Sequence, residues 1–221
     1  MNDLTAVVIG ASGLIGSQLT TQLLNDPAYK TLRALVRRPL EITHPKLEQV
    51  ITNFNDINDY KEKFGEGDVI FCCIGTTRKK VKGNKDAYRS VDFDIPVNAA
   101  EIGIAKNFSK YMLVSSVGAN EASSNFYIKL KGQTEMAVRK FNFKSIGIFQ
   151  PSILLGDRAE VRPGENAAQK LMKVFSGLFF GSYKKYRAID ASEVAKAMNE
   201  AAKKDLPGIH YFTYTEMMDI I

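Results

Sequence analysis

Tyr127 and Lys131 stand four residues apart near the middle of the chain. If this segment is a helix, the two side chains share one face. A free tyrosine has a pKa of about 10, and acid–base work near neutrality requires that pKa to fall by up to ~3 pH units. A cation about 4 Å away supplies roughly that effect at an effective dielectric constant of about 20. The pair predicts proton transfer to or from a carbonyl or alcohol; the alternative is an ordinary surface tyrosine and lysine.

A serine pair precedes this segment in the stretch Ser115-Ser116-Val117-Gly118, where a predicted strand ends. Ser116 lies eleven residues before Tyr127. We expect the Ser116 hydroxyl to hold the substrate oxygen by a hydrogen bond while Tyr127 acts as the general acid–base.

The N-terminal region carries three glycines at three-residue spacing directly after an apolar run, a pattern that predicts a strand, a turn and a helix. The unpaired N–H groups and the dipole of a helix N-terminus favour a phosphate. Gly10 would permit the tight turn, Gly13 the approach of a pyrophosphate, and Gly16 close packing of the helix on the sheet. A structural turn that binds nothing is the alternative. The predicted dinucleotide-binding residues are Gly10, Ala11, Ser12, Gly13, Leu14, Ile15 and Gly16.

Two adjacent arginines, Arg37 and Arg38, follow the second predicted strand. An acidic residue about 20 positions beyond the glycine motif normally accepts the ribose hydroxyls of NAD. Here a pair of cations is present instead of a carboxylate, which suits a 2′-phosphate. We therefore predict that NADP(H) is preferred over NAD(H).

Predicted strands and helices alternate along most of the chain, which indicates a parallel sheet covered on both faces. With the glycine motif, this predicts an α/β fold, a three-layer doubly wound parallel β-sheet (Rossmann fold). We expect one domain over residues 1–221, in which 151–221 contributes a small, loop-rich C-terminal lobe on the substrate side. Pro96 falls inside a predicted helix and predicts a kink or a break. The predicted strands cover 4–10, 32–36, 47–53, 68–74, 111–115, 145–149 and 209–213, and the helices 14–25, 56–64, 86–105, 125–140, 166–176 and 191–204.

Together these motifs resemble the short-chain dehydrogenase/reductase superfamily, and within it the atypical group that contains the HIV Tat-interacting protein oxidoreductase. The resemblance covers nearly the whole chain and includes the glycine motif, Ser116 and the spacing of Tyr127 and Lys131. Four further stretches carry it: Cys73-Ile74-Gly75-Thr76-Thr77-Arg78, Ser115-Ser116-Val117-Gly118-Ala119, Ser123-Ser124-Asn125-Phe126-Tyr127 and Arg162-Pro163-Gly164-Glu165.

The resemblance implies NADP(H) binding and a catalytic set of Ser116, Tyr127 and Lys131, with Ser115 as the adjacent alternative for the serine. Hydride would then pass between the nicotinamide and a small carbonyl or alcohol. Asn53 and Phe54 would flank the adenine. Further cofactor contacts would come from Cys73, Ile74, Gly75, Thr76, Tyr127, Lys131, Pro151, Ser152 and Ile153. The sequence departs from the family pattern at Cys72-Cys73-Ile74-Gly75, where many relatives have an asparagine-rich turn, and no asparagine can be assigned to the proton relay of some relatives.

Two other functions stay open. An NADP(H)-binding regulatory protein would sense the cofactor and act through a protein partner without turnover. An isomerase or epimerase would hold NADP tightly without consuming it.

Composition excludes several classes of partner. The net charge of +6 owes much to Arg78, Lys79, Lys80, Lys82 and Lys85, which form either a solvated or a functional basic loop. We expect loop 78–85 and segment 156–166 to flank the substrate opening and move on binding. No zinc knuckle, helix-turn-helix signature or aromatic RNA platform accompanies the charge, so we expect no nucleic acid. His44 and His210 have no cysteine or cluster of carboxylates near them in the sequence that could complete a set of metal ligands, so no metal site is predicted.

Cys72 and Cys73 are adjacent in a predicted strand, where their side chains would point to opposite faces as small buried hydrophobes. With no other cysteines, the chain fits a reduced, cytoplasmic setting. It has no apolar run of about 18 residues, so we expect no membrane span. It enters a predicted strand within its first six residues, so we expect no signal peptide.

Overall fold

The computed structural model describes residues 3–156 and 181–221. In these residues the chain forms a seven-stranded parallel sheet and a separate pair of two-residue strands. The strands are β1 (Leu4–Ile9), β2 (Tyr29–Val36), β3 (Leu47–Ile51), β4 (Val69–Cys72), β5 (Lys110–Val114), β6 (Ser145–Phe149), β7 (Leu154–Leu155), β8 (Ile189–Asp190) and β9 (Gly208–Phe212). The large sheet has the order β3-β2-β1-β4-β5-β6-β9, so the strand order reverses between β1 and β4. In such sheets the crevice beyond the carboxyl ends, at the reversal, is the usual ligand site.

Helices cover both faces of the sheet. They are α1 (Leu14–Asn25), α2 (Ile57–Lys63), α3 (Lys85–Arg89), a π-helical turn (Ser90–Asp94), α4 (Ile95–Ala105), α5 (Phe126–Val138), a 3-10 helix (Gly181–Tyr186), α6 (Ala191–Lys203) and α7 (Tyr214–Ile220). One apolar cluster joins the sheet to α1 and α6, and a second joins it to α2, α4 and α5. Together they give the predicted three-layer Rossmann fold, which is confirmed.

Side chains of successive strand residues alternate between the two clusters. In β1, Ala6 and Val8 belong to the first cluster, whereas Val7 and Ile9 belong to the second. The adjacent cysteines divide in the same way: Cys72 lies in the second cluster, and Cys73 packs against the first. Their predicted placement on opposite faces is confirmed, and both thiols are free.

The described part of 151–221 is built into the main domain. β9 pairs in parallel with β6 and extends the sheet, and the apolar stripe of α6 packs in the cluster that contains α1. The described residues of this segment therefore belong to the main sheet and core, and the substrate-side lobe stays a prediction. The short β7/β8 pair and helix α7 were missed by the sequence analysis. The predicted helix over 166–176 lies outside the described residues, as does 157–166 of the segment expected to flank the substrate opening.

Candidate functional site

The glycine turn lies at the carboxyl end of β1 and leads into α1. Gly10 has a left-handed φ of +88°, and a Cβ at this position would lie 2.8 Å from backbone atoms of Cys73 and Ile74. Both the conformation and the close approach require glycine. The Gly13 N–H donates to the Gly10 carbonyl at 2.9 Å, which closes the turn. This confirms the predicted role of Gly10.

The start of α1 is open at the same edge of the sheet. Gly13 occupies the N-cap and offers no side chain to the first N–H groups of the helix. A Cβ at Gly16 would lie 2.0 Å from the Gly10 carbonyl oxygen, so the first helical turn packs on the loop only because position 16 is glycine. Uncapped N–H groups at a helix N-terminus favour a phosphate. The cradle therefore fits the pyrophosphate of a dinucleotide.

The loop after β4 connects the glycine turn to a buried polar cluster. The Cys73 N–H donates to the Ile9 carbonyl at 2.8 Å and extends the pairing of β4 with β1. A Cβ at Gly75 would lie 3.5 Å from Oδ1 of Asp92 and 3.9 Å from Nζ of Lys131. The Thr76 N–H donates to Oδ2 of Asp92 at 2.8 Å. Gly75 and Thr76 therefore lie directly over the charged pair described next.

Pro96 determines the geometry of the helix that carries Asp92. Proline has no N–H, so the carbonyl four residues earlier, that of Asp92, loses its helical donor. The chain forms the π-helical turn Ser90–Asp94 here, and α4 then begins with Pro96 in its first turn. The Thr134 hydroxyl of α5 lies 2.9 Å from the backbone carbonyl oxygen of Asp92 and 2.9 Å from that of Leu130, and it shares its proton between the two. The predicted kink or break in helix 86–105 is replaced by this π-helical turn, through which the chain stays helical, and the Thr134 bond ties Asp92 to α5.

Asp92 and Lys131 form a buried ion pair. Nζ of Lys131 lies 3.1 Å from Oδ1 of Asp92, and the two side chains are 7% and 1% exposed, respectively. Oδ1 of Asp92 accepts no hydrogen bond of good geometry from the described residues, so the attraction between the two charges holds the pair. Burial lowers the pKa of Lys131, but the Asp92 carboxylate and then Tyr127 outweigh burial, and the net pKa is raised. Lys131 is therefore a fixed cation at neutral pH.

Tyr127 lies one turn before Lys131 on α5, as the spacing predicted. Asn125 caps this helix, since its Oδ1 accepts from the N–H groups of Tyr127 at 3.0 Å and Ile128 at 3.2 Å. Tyr127 is 36% exposed, whereas Lys131 is 5% exposed. The helix thus combines a buried cation with an accessible phenol, an arrangement that suits proton exchange with a bound molecule.

The structure distinguishes the two candidate serines after β5. Ser115 is buried, and its hydroxyl donates to Glu135, which also accepts from Nε2 of Gln150 at 2.9 Å and 3.1 Å. Burial raises the pKa of Glu135, against the lowering effect of these hydrogen bonds. Ser116 is half-buried, and its hydroxyl makes only a 3.5 Å contact with the Val117 carbonyl. The geometry favours Ser116 as the serine that meets a substrate.

The residues predicted to bind the adenine end of the cofactor differ in their exposure to solvent. Arg37 and Arg38 are exposed directly after β2, and neither forms an ion pair with any residue that the structure describes. Asn53 is exposed after β3. The Phe54 ring is buried and packs edge-on against Tyr60 at a centroid distance of 4.9 Å. Phe54 thus offers an adenine chiefly its backbone.

The residues after β6 are joined to the loop after β5. Pro151 is buried, and its carbonyl accepts from the Val117 N–H at 3.0 Å. The Ser152 hydroxyl donates to the Arg187 carbonyl, so it is already engaged within the protein. Ile153 is half-buried. These residues border the serine loop, and their predicted contact with a nicotinamide stays a prediction.

Contacts thus connect much of the predicted site at one edge of the sheet. The connected residues are Gly10, Gly13, Gly16, Cys73, Ile74, Gly75, Thr76, Tyr127 and Lys131. Within the glycine motif, Ser12 is exposed, whereas Ala11 and Ile15 are buried in the core and can offer a ligand only backbone atoms. No described contact joins the arginine pair to this group.

Sequence reasoning missed Asp92 and Glu135. Asp92 lies on the buried face of its helix, between Tyr88 and Ile95, at a position where an apolar side chain would be expected. Glu135 follows Lys131 by one turn on the buried face of α5. A charged residue inside an apolar stripe is the signal that would have found Asp92, because a buried charge requires a partner. No such stripe surrounds Glu135, whose buried neighbours on α5 include Lys131 and Thr134.

A family model described as NAD(P)H-binding matches residues 10–140, from the glycine turn to just beyond α5. The chain belongs to this family. One relative, the protein HTATIP2 of Rattus norvegicus, is 33% identical over 201 residues, which cover 90% of this chain and 81% of the relative. The mitochondrial protein FMP52 of Candida albicans is 30% identical over 210 residues, covering 93% and 90%, respectively. The predicted resemblance is confirmed, since the family is NAD(P)H-binding and the chain is related to HTATIP2.

Solved structures agree on the fold. A UDP-N-acetylglucosamine 4-epimerase from Methanobrevibacter ruminantium M1 matches with a TM-score of 0.72 and 18% identity, over 96% of this chain and 77% of its own. The Bordetella bronchiseptica enzyme WbmH, in complex with NAD+, matches with a TM-score of 0.72 and 13% identity, over 95% and 75%, respectively. At these identities the likeness is one of fold alone.

The predicted cytoplasmic location is wrong. Several fungal relatives, including those of Candida albicans, Aspergillus fumigatus and Debaryomyces hansenii, are named as mitochondrial proteins. The prediction failed because a lack of disulfides separates reducing from oxidising compartments, but it does not separate one reducing compartment from another.

Two further findings concern only the part of the chain that the structure describes. Within it, no group of three or more His, Cys, Asp or Glu side chains is arranged to hold a metal ion. Within 3–156 and 181–221, no helix has the length and apolar character needed to cross a membrane.

Proposed function

We propose that this protein is an NADP(H)-dependent oxidoreductase that acts on a small carbonyl or alcohol compound. The observation that supports it best is the buried Asp92–Lys131 pair one helical turn from Tyr127, beside a glycine turn that fits a dinucleotide. The cofactor, when bound, supplies or accepts the hydride. The protein's own residues bind, orient the substrate oxygen and move the proton.

Tyr127 acts at the substrate oxygen. In the direction of reduction its hydroxyl donates a proton to the oxygen that becomes the alcohol, and in the reverse direction it takes that proton back. The fixed charge of Lys131 favours the negative charge that develops on the phenol oxygen. Ser116 donates a hydrogen bond to the same substrate oxygen and orients it.

Asp92 is a positioning residue in this proposal. It contacts Lys131 and the Thr76 N–H, and it keeps the lysine charged and in place below the loop.

The preference for NADP(H) is also part of the proposal. Arg37 and Arg38 would donate charge-assisted hydrogen bonds to the 2′-phosphate. Their exposed position after β2, without a carboxylate partner among the described residues, supports this role.

The test measures NADPH oxidation with a panel of small aldehydes and ketones, and NADPH affinity by fluorescence. Tyr127→Phe keeps the ring but removes the proton, so turnover should fall by about 10²–10⁴-fold with little change in NADPH affinity. Lys131→Met should lower both turnover and affinity. Ser116→Ala should lower turnover less than Tyr127→Phe. Tyr211→Phe, at a 39% exposed tyrosine of β9, is the matched control and should resemble the wild type.

Unchanged turnover in Tyr127→Phe would contradict the catalytic assignment. If the wild type binds NADPH firmly but turns over no carbonyl compound, the proposal gives way to a cofactor-sensing protein that acts through a protein partner.

A further inference from the structure

A cavity of about 500 Å³ opens beside Tyr127. Its size falls within the range typical of small-molecule sites, about 300–1,000 Å³. Part of its wall is aromatic, because Tyr88 and Phe126 meet edge to face at a centroid distance of 5.6 Å. The remaining described lining is Arg78, Gly83, Asn84, Lys85 and Asn125. The cavity thus lies between the phenol of α5 and the basic loop 78–85.

The polar groups of this lining are mostly donors. Arg78 and Lys85 are cations, exposed to solvent, and neither pairs with a carboxylate in the described part of the chain. Asn84 and Asn125 use their Oδ1 atoms to cap α3 and α5, so the groups that they have left are NH₂ donors. Among the described lining residues there is no Asp or Glu.

An aromatic wall beside amide donors and two cations suits a particular class of ligand. An apolar or aromatic body can pack against this aromatic corner, and an anionic group can meet the cations and amides. A cationic molecule would be repelled by Arg78 and Lys85, and a neutral molecule would gain no ion pair from them. Lys85 already lies 5.7 Å from the centre of the Phe126 ring, so the cation and the aromatic wall belong to one surface.

We infer that the substrate carries an anionic group, such as a carboxylate, on an apolar body, and that Arg78 and Lys85 select it. This inference rests on the proposed function, since it places the substrate carbonyl at Tyr127. It adds the chemical class of the substrate, which neither the glycine turn nor the Tyr127/Lys131 pair indicates.

The test compares 4-formylbenzoate with its methyl ester. The two share one body and one aldehyde, and they differ in the charge at the far end. The ester withdraws electrons more strongly, so its aldehyde is intrinsically the easier one to reduce. A preference for the carboxylate therefore has to come from binding. Turnover is followed by NADPH oxidation, and binding is measured separately by titrating each compound into the protein saturated with NADP⁺.

The wild type should favour the carboxylate by about tenfold or more in both kcat/KM and Kd, the effect of one charge-assisted hydrogen bond. In Arg78→Gln/Lys85→Gln this preference should fall to near unity through KM and Kd of the carboxylate. Raising the ionic strength should weaken the preference in the wild type. Lys79→Gln is the matched control, since Lys79 is exposed on the same loop but does not line the cavity.

Equal affinity for the two compounds, no binding of either, or a preference that survives in the double variant would overturn the inference. If both compounds are reduced equally and Tyr127→Phe abolishes the reduction, the proposed function stands and only the anionic selection fails. If the carboxylate binds preferentially but is not reduced, the selection stands and the catalytic proposal fails.

Discussion

Lys131 is paired with Asp92 below the surface, whereas Arg37 and Arg38 stand in solvent at the other end of the same sheet edge. The first region is held in place by the protein itself, through an ion pair, a loop N–H and a bond between two helices. The second has no described ion-pair partner and would gain one only from a ligand. The difference predicts that changes in the first region alter stability and catalysis together, whereas changes in the second alter affinity alone.

Asp92→Asn should have the largest effect. It leaves the Lys131 ammonium buried without a countercharge, which typically costs about 3–5 kcal/mol. Urea unfolding at pH 7 measures the loss. Asp94→Asn, in the same π-helical turn, is the matched control, because Asp94 is 47% exposed and lies 3.8 Å from Arg89. An exposed pair of this kind contributes about 0–1 kcal/mol, so equal losses in the two variants would contradict the comparison.

The double variant Asp92→Asn/Lys131→Met separates stability from catalysis. Replacing a buried ion pair by apolar groups is often neutral for stability. Much of the stability lost in Asp92→Asn should therefore return, while reduction of carbonyl compounds should not. Recovery of both would mean that the pair has only a structural role.

The sequence predicted those parts of the site whose signal is local. The glycine motif and the Tyr127/Lys131 spacing each occupy a few neighbouring positions, and a known strand or helix geometry converts that spacing into a common face. Pro96 is also a local signal, and it marked the helix that contains the π-helical turn. The alternation of strands and helices was sufficient for the fold, because it leaves few topologies for a parallel sheet.

The parts that escaped prediction depend on contacts between distant elements. Asp92 and Lys131 lie on different helices, and only tertiary packing makes them partners. The burial of Phe54 depends on Tyr60 in the next helix, which covers the ring that the sequence assigned to an adenine. The choice between Ser115 and Ser116 required Glu135, whose position no pattern around the serines indicates.

Arg37→Ala and Arg38→Ala should affect affinity without affecting stability. Each should raise the Kd for NADPH by about tenfold, the effect expected from one charge-assisted hydrogen bond that is partly screened by solvent. NADH lacks the 2′-phosphate and serves as the internal control, so its Kd should stay nearly constant. The free energy of unfolding should change by no more than about 0.5 kcal/mol. An equal loss of affinity for NADPH and NADH would show that the arginines do not bind the 2′-phosphate.

Glu135→Gln should give the smallest effect and one that depends on pH. Burial raises the pKa of Glu135 in the folded protein. A carboxyl group whose pKa is raised by folding contributes stability that is complete below its unfolded pKa of about 4.3 and is lost as the pH rises through its folded pKa. Glutamine cannot titrate, and its oxygen still accepts from Ser115 while the Gln150 amide can flip to match it.

The advantage of the wild type over Glu135→Gln should therefore be greatest near pH 4 and shrink toward neutrality. Urea unfolding of both proteins at a series of pH values measures this difference. Glu101→Gln, at an exposed position of α4, reports the general effect of removing one negative charge and is subtracted. A corrected difference that grows with pH would mean that the folded protein favours the Glu135 carboxylate. Glu135 would then resemble Lys131, because the fold would stabilise the charged form of both side chains despite their burial.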